Sequence, residues 1–381
     1  MPKRASESKA LSERALERAR SRLTILPGRP DPEGLLALAR IVFPGEDISD
    51  PRFLPWLYDW NPRGPAHEAV TVDRGLITGH MAVVPLRFKI GAATVSGGLA
   101  VNAITHPDFR GKGIFIVVHD ELNKICGKAG LEFTFGYANS NSYKGCLRHL
   151  DYREIGRFPL WILPFDMPRI IAAHKSTQGW FWRATARAAN PLVRLGQAVL
   201  RPRRSGPFAI ERISEFGPEF DAFWETVKDD YTNILVRDRA FLSWRFVRPP
   251  TRRYKIFAAR SEGRLAGYLV GGMTTIEGLR WGMIVDLLTA RTPEGRAASR
   301  HLIAAFSRDA RSEGADLAAT LMLKHAPAAK ALRRNGYLVC PKNLLPREFP
   351  ILLHWNMDRP APAGLFDPNS WFITMGDCDT V

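Results

Sequence analysis

The sequence predicts a mixed α/β fold, α+β in its organisation, built as two tandem copies of one domain, each a mostly antiparallel sheet flanked by helices. Three observations predict it. First, Phe53-Leu54-Pro55-Trp56 recurs as Phe241-Leu242-Ser243-Trp244 at an offset of 188. The offset holds without a gap, carrying Tyr58 onto Phe246, Pro62 onto Pro250, Gly75 onto Gly263 and Gly79 onto Gly267. A period of that length marks a duplicated domain and is too long for a solenoid. Second, each copy has two extended runs meeting at a glycine turn, the mark of a hairpin. Third, each copy then passes through another extended run into an amphipathic helix and a further strand, so antiparallel hairpins lead into a strand–helix–strand unit.

In the first copy the extended runs are Ala69 to Asp73, Leu76 to Ile90 and Gly98 to Thr105, with the turn at Arg74-Gly75. From Gly113 the apolar residues Ile114, Phe115, Val117, Val118, Leu122 and Ile125 form one helix face, and Leu131 to Tyr137 is the next strand. In the second copy Tyr254 to Arg260 turns at Ser261-Glu262-Gly263-Arg264 into Leu265 to Met273. Gly282 to Ala290, a helix around Leu302, Ile303, Phe306 and Ala310, and Asp316 to Met322 follow. Four segments are therefore expected: a basic arm over 1–30, a first domain over 31–165, a basic aromatic linker over 166–207 and a second domain over 208–381.

Composition bounds the function. The chain has 381 residues, 45% apolar and 10% aromatic, enough for two real cores. No run approaches the roughly 20 apolar residues of a membrane helix, and Met1 to Arg20 lacks the apolar segment of a secretory signal, so a cytoplasmic protein is expected. Cys126, Cys146, Cys340 and Cys378 form no CxxC pair and no zinc spacing, so no metal is expected and the thiols read as structural. The formal net charge of +16 favours anionic partners. Yet Arg169, Lys175, Arg183, Arg187, Arg194, Arg201, Arg203 and Arg204 lie in a stretch without an acidic residue. Half of the excess thus belongs to the linker. With Trp180, Phe181 and Trp182 beside them, 167–207 read either as a contact with an anionic membrane surface, peripheral to the inner membrane, or as a connector packing its tryptophans on the domains. No helix-turn-helix, zinc or aromatic RNA motif supports nucleic-acid binding, and none is expected.

The chemistry concentrates in Thr105-His106-Pro107-Asp108-Phe109-Arg110-Gly111-Lys112-Gly113-Ile114, between a strand and a helix. Two glycines let the backbone approach a ligand. The free amides of a helix's first turn, helped by its dipole, make an anion site. Arg110 and Lys112 add charge at the rim, so the stretch predicts a bound phosphate or pyrophosphate. It is neither a P-loop, lacking the GK[ST] ending, nor a dinucleotide fingerprint, lacking the third glycine.

This segment resembles the acyl-CoA pyrophosphate loop of the GNAT acyltransferase superfamily, here in the form R-G-x-G over Arg110 to Gly113 after Thr105-His106-Pro107. The likeness covers about Gly34 to Phe165, with a second copy over about Phe208 to Asn356. The Trp371 and Gly376-Asp377 tail is similar to tandem GNAT-like proteins of bacterial polysaccharide-synthesis clusters. The resemblance implies acyl transfer, acetyl-CoA as co-substrate, and an amine or hydroxyl acceptor of small or sugar-like type, an amino sugar among them. It implies cofactor contacts from Ala103, Ile104 and Thr105 on a splayed strand, from Arg110, Gly111, Lys112, Gly113 and Ile114 in the loop, and from Asn139 and Ser142 after the next strand. The family's general-acid tyrosine, four residues before a Gly-Phe pair that here reads Asp151-Tyr152, is replaced by Leu147. Tyr143, one turn earlier, is the candidate substitute. His80, after Gly79, is the candidate general base, against a plain hydrogen-bonded histidine on a strand. His106 and Asp108 are expected to face solvent.

In the second copy the loop is lost: Arg291-Thr292-Pro293-Glu294-Gly295-Arg296 keeps one glycine and places a carboxylate where phosphate would sit. That half is expected to be structural or to shape the substrate site. Two other functions fit the same scaffold, a non-catalytic GNAT-like binding protein and a Fem-type aminoacyl transferase for cell-wall precursors; the intact R-G-x-G loop argues against the latter.

Overall fold

A computed structural model describes Glu17 and residues 21–173, 208–345 and 347–378. The chain divides into two compact units. Unit 1 comprises Met1–Arg157, Arg248–Arg252 and Glu348–Ser370, and unit 2 comprises Phe158–Val247, Arg253–Arg347 and Trp371–Val381.

Unit 1 is one twisted sheet with helices. Its strands are β1 (Thr24–Pro27), β2 (His67–Asp73), β3 (Leu76–Ile90), β4 (Ala93–Thr105), β5 (Phe133–Tyr137), β6 (Arg153–Arg157) and, from the far end of the sequence, β15 (Pro350–Trp355). The spatial order is β1-β2-β3-β4-β5-β15-β6, antiparallel throughout except for the parallel pair β4–β5. β1 lies within the stretch read as a basic arm. It adds an edge strand, Thr24 opposite Val72 and Pro27 opposite Ala69. The helices are α1 (Pro32–Val42), α2 (Ile114–Lys128) and α3 (Tyr143–His149). Ile114, Val118, Leu122 and Cys126 recur every four residues along α2, forming the stripe that packs on Ala69, Met81, Val83 and Leu131. Gly79 lets the start of α2 approach β3, because a Cβ there would lie 2.3 Å from Ile114 Cγ2.

Unit 2 repeats the plan. Its strands are β7 (Leu160–Pro164), β8 (Ala209–Ile213), β9 (Asn233–Leu235), β10 (Lys255–Ser261), β11 (Arg264–Ile276), β12 (Leu279–Thr289), β13 (Leu317–Leu321), β14 (Leu338–Val339) and β16 (Trp371–Phe372). Its helices are α4 (Met167–Ala173), α5 (Glu219–Val227), α6 (Arg239–Leu242), α7 (Pro293–Ser312) and α8 (Ala329–Arg334). The main sheet runs β14-β7-β13-β12-β11-β10-β8, with β12–β13 the parallel pair; β16 pairs with β9.

The repeat seen in the sequence is structural. The single π-helical turns Pro55–Asp59 and Ser243–Val247 stand at the same offset, as do β2 and β10. The mixed fold with two mostly antiparallel sheets and flanking helices is therefore as expected. What the sequence did not show is an exchange: β7, next in sequence after β6, belongs to the second sheet, and β15 completes the first. Among the described residues no helix is long and apolar enough to cross a membrane. The linker residues Trp180, Phe181, Trp182, Arg183 and Arg187 lie outside the described residues, so its membrane-contact reading does too.

Candidate functional site

β4 and β5 pair only at Gly98–Thr134 and Leu99–Phe135. Beyond Leu99, β4 runs on to Thr105 paired with β3 alone, so a gap opens between the two parallel strands. In the same stretch β4 bulges. His80 opposes Ile104 and Ala82 opposes Val101, leaving Asn102 and Ala103 opposite Met81. Asn102 takes a left-handed backbone, φ +52°. Ala103 is exposed, Thr105 half-buried and Ile104 buried.

The chain leaves β4 through a short 3₁₀ turn, Pro107–Phe109, and enters α2 through Arg110-Gly111-Lys112-Gly113. Gly111 and Gly113 both adopt left-handed φ, +76° and +80°. Gly113 caps the helix with no side chain on its amides. Among the described residues, no hydrogen-bond acceptor takes the amides of Gly113, Ile114 or Phe115. Arg110 and Lys112 are exposed, and the Lys112 ammonium sits over the Phe109 ring at 4.2 Å. His106, expected in solvent, instead packs edge-on against Phe109 with its side chain 14% exposed; Asp108 does face solvent. The loop thus presents an open helix N-terminus with adjacent cations, beside a strand with an unpaired edge.

The remaining candidates are engaged locally. Asn139 Oδ1 accepts from the amides of Asn141 and Ser142, and Ser142 Oγ meets Asn139 N at 3.1 Å, so the two side chains form a turn that leads into α3. Tyr143 Oη donates to Glu154 Oε2 at 2.5 Å and accepts from Arg157 at 3.0 Å. Its bond to Glu154, with some burial, raises its pKa above the usual phenol value. Tyr143 and Leu147 pack in one cluster with Phe115 and Ile116 from the first turn of α2, so α3 flanks the loop. His80 is buried rather than at a strand surface: Nε2 faces Glu68 Oε2 at 3.1 Å and Nδ1 faces the Asn102 carbonyl at 3.2 Å. The sequence reading missed Glu68 and Tyr58, whose hydroxyl accepts from Asn102 Nδ2 at 2.7 Å.

A cleft of about 930 Å³ lined by Asp151, Tyr152, Arg153, His354, Trp355 and Arg359 also lies in unit 1. Trp355 pairs with Phe133, so the cleft belongs to the start of β5, at the opposite end from the β4–β5 gap.

Unit 2 supplies an internal control. Gly79 pairs with Thr105 and Gly267 with Thr289, which aligns Ala100 with Ile284, Val101 with Val285 and Asn102 with Asp286. Likewise Gly136 aligns with Thr320. Every open feature of unit 1 is closed there. The N-terminus of α7 carries its own cap, Thr292 accepting from Gly295 N. Thr320 Oγ1 bridges the strands to Ile284 O at 2.9 Å. The tail fills the gap: Thr374 bridges to Met322, and a Cβ on Gly376 would lie 3.2 Å from Asp286 Cβ and 3.4 Å from Val285 O. Arg237, wholly buried, pins the tail by pairing with Asp286 and Asp377, and Arg245 donates to the carbonyls of Gly376 and Cys378.

Two units of one plan are what the fold and its geometry define, one with an uncapped helix N-terminus beside a strand paired on one side only, the other with that helix capped and its own tail packed alongside. Comparison of the sequence with protein-family models gives no match, and comparison with curated proteins gives none. In fold the chain is similar to a conserved Enterococcus faecalis protein described as a probable N-acyltransferase (TM-score 0.57, 10% identity, 87% of this chain and 72% of that one). It is also similar to a GCN5-related N-acetyltransferase of Anabaena variabilis (0.58, 12%, 88% and 73%). A third likeness is to Saccharomyces cerevisiae N-myristoyltransferase, solved with myristoyl-CoA bound (0.58, 10%, 94% and 89%). At such identities the likeness is one of fold.

Proposed function

We propose that unit 1 is an acyl-CoA-dependent transferase of the GNAT type, moving an acetyl or other acyl group to the amine or hydroxyl of a small or sugar-like acceptor, and that unit 2 is its scaffold. The observation that carries this is the asymmetry between the units: the helix after the fourth strand has no side-chain cap in unit 1 and a threonine cap in unit 2, and beyond Leu99 β4 has no rung to β5, whereas in unit 2 the tail packs at the corresponding place through Thr374 and Gly376. The amides of Gly113, Ile114 and Phe115 and the charges of Arg110 and Lys112 would hold the diphosphate of the coenzyme. Backbone groups of Ala103, Ile104 and Thr105 would orient the thioester, so that most of the rate comes from positioning and polarisation. Asn139 and Ser142 act by shaping the turn before α3. An acyl-CoA neighbour solved with its ligand supports a coenzyme A thioester over other anions. The cytoplasmic setting, the link to surface-polysaccharide synthesis and membrane contact through 167–207 are part of the same proposal and rest on the sequence alone.

A second reading has its own observation. The Tyr143 hydroxyl donates its hydrogen bond to Glu154, and Leu147 is aliphatic, so neither is turned to protonate a leaving thiolate. A binding protein without turnover fits that fact, as does catalysis with water as the proton carrier. Calorimetry and thiol release separate the cases. The double variant Arg110→Ala with Gly111→Glu puts a carboxylate into the anion cradle and should abolish acetyl-CoA binding; unchanged affinity sinks the site. Thiol release from acetyl-CoA with a panel of amino sugars is expected for the enzyme, and none for a binding protein. An aminoacyl-tRNA transferase would instead retain its activity in the double variant.

A further inference from the structure

We infer that His80 is a positioning residue: with Glu68 it clamps the β4 bulge that faces the acyl thioester, an inference that rests on the acyl-CoA reading of unit 1. The bulge needs a clamp. Asn102 holds a left-handed backbone without being glycine, which costs on the order of 1 kcal/mol or more and persists only where its surroundings over-determine it. Two contacts do so. The Asn102 carbonyl faces His80 Nδ1 at 3.2 Å, and its side-chain amide donates to Tyr58 Oη at 2.7 Å.

Each of these partners is itself held. Glu68 Oε2 faces His80 Nε2 at 3.1 Å, and its other oxygen lies 3.6 Å from Arg29 Nε. Arg29 lies over the Tyr58 ring, 5.5 Å from its centroid, and pairs with Asp59 at 2.7 Å. The side chains of His80, Glu68 and Arg29 are 0%, 6% and 14% exposed, so the chain of contacts runs beneath the sheet edge, away from water. Glu68 reaches His80 diagonally across the strands, since Glu68 pairs with Ala82 and Val70 with His80. Both ring nitrogens face groups inside the protein, so neither is turned to an acceptor substrate as a general base would be. What His80 controls is where the backbone of Asn102 and Ala103 points. Those groups lie past the last β4–β5 rung, where a thioester would sit, and the 3₁₀ turn Pro107–Phe109 separates them from the loop that takes the diphosphate.

The two ends of the ligand therefore give separate readouts. Titrate wild-type protein, His80→Ala and His80→Asn with acetyl-CoA and with CoA by calorimetry, and follow thermal melting in parallel. Asparagine keeps an N–H near the place of Nδ1. The expected result is an acetyl-CoA affinity about 10-fold weaker in His80→Ala, CoA affinity unchanged within about 2-fold, and most of the loss restored in His80→Asn. Glu68→Gln, which keeps the volume and loses the charge, should weaken acetyl-CoA selectively as well, and it carries the test if the alanine variant does not fold. Equal losses for both ligands, or no loss for either, overturn the positioning role while leaving the site reading intact. Wild-type protein that binds neither ligand overturns both.

Discussion

Gly136 stands at the last point where β4 and β5 are close, and the second unit shows what a side chain does there. Thr320, its counterpart, donates to Ile284 O at 2.9 Å and ties the strands together. In unit 1 a Cβ on Gly136 would lie 3.1 Å from Ala100 Cβ and 3.4 Å from Ala100 O. That is tight but within reach of a small shift, and it places a threonine hydroxyl beside the carbonyl. Gly136→Thr should therefore add one neutral hydrogen bond across the mouth of the gap, about 1 kcal/mol, which an incoming pantetheine arm has to displace. That alone is about a 5-fold loss of affinity, and the branched side chain in the mouth brings the expected loss to about 10-fold. The fold gains the same bond and pays for some crowding, so its stability should change by less than about 1 kcal/mol. Calorimetric titration with acetyl-CoA gives the affinity, and thermal melting gives the stability. Full affinity in a folded variant would refute the claim that the arm enters between these strands.

Other outcomes follow from buried polar groups. His119, on α2, is fully buried, with Nε2 on the Tyr152 hydroxyl at 2.7 Å and Nδ1 without a hydrogen-bond partner among the described residues. Burial, then the neighbouring His354, pushes its pKa down to about 3. The unfolded chain, near 6.5, takes the proton first as pH falls, so stability is full above about pH 6.5 and falls between there and about 3. By pH 5 the loss should reach about 2 kcal/mol, and His119→Asn should flatten melting temperature against pH over this range. Arg237→Ala would leave Asp286 and Asp377 buried without their cation, an expected cost of about 3–5 kcal/mol measurable by denaturant unfolding.

The sequence showed the repeat because the two copies kept the same local backbone: π turns at Pro55–Asp59 and Ser243–Val247, and glycines at 79 and 267 where a Cβ would strike a neighbour. It showed the loop because left-handed residues before a helix call for glycine, and 111 and 113 are glycines. It did not show the exchange of β7 and β15, since both are short apolar runs that either sheet could accept, and pairing over such distances leaves no local mark. Nor did it show how His80 is held. That depends on Glu68 meeting it diagonally, in a register set partly by a bulge at Thr71/Val72. The tail of unit 2 was equally hidden, because Asp286, Arg237 and Asp377 become a cluster only once three distant segments are folded together.

One distinction separates the units: in unit 1 the helix after the fourth strand is uncapped beside a strand paired on one side only, and in unit 2 that helix is capped and the tail packs alongside. Stoichiometry tests that distinction most directly. Titrating the intact chain with CoA in a calorimeter should give one binding event per polypeptide. Two events would contradict the closure of unit 2, and none would contradict the opening in unit 1.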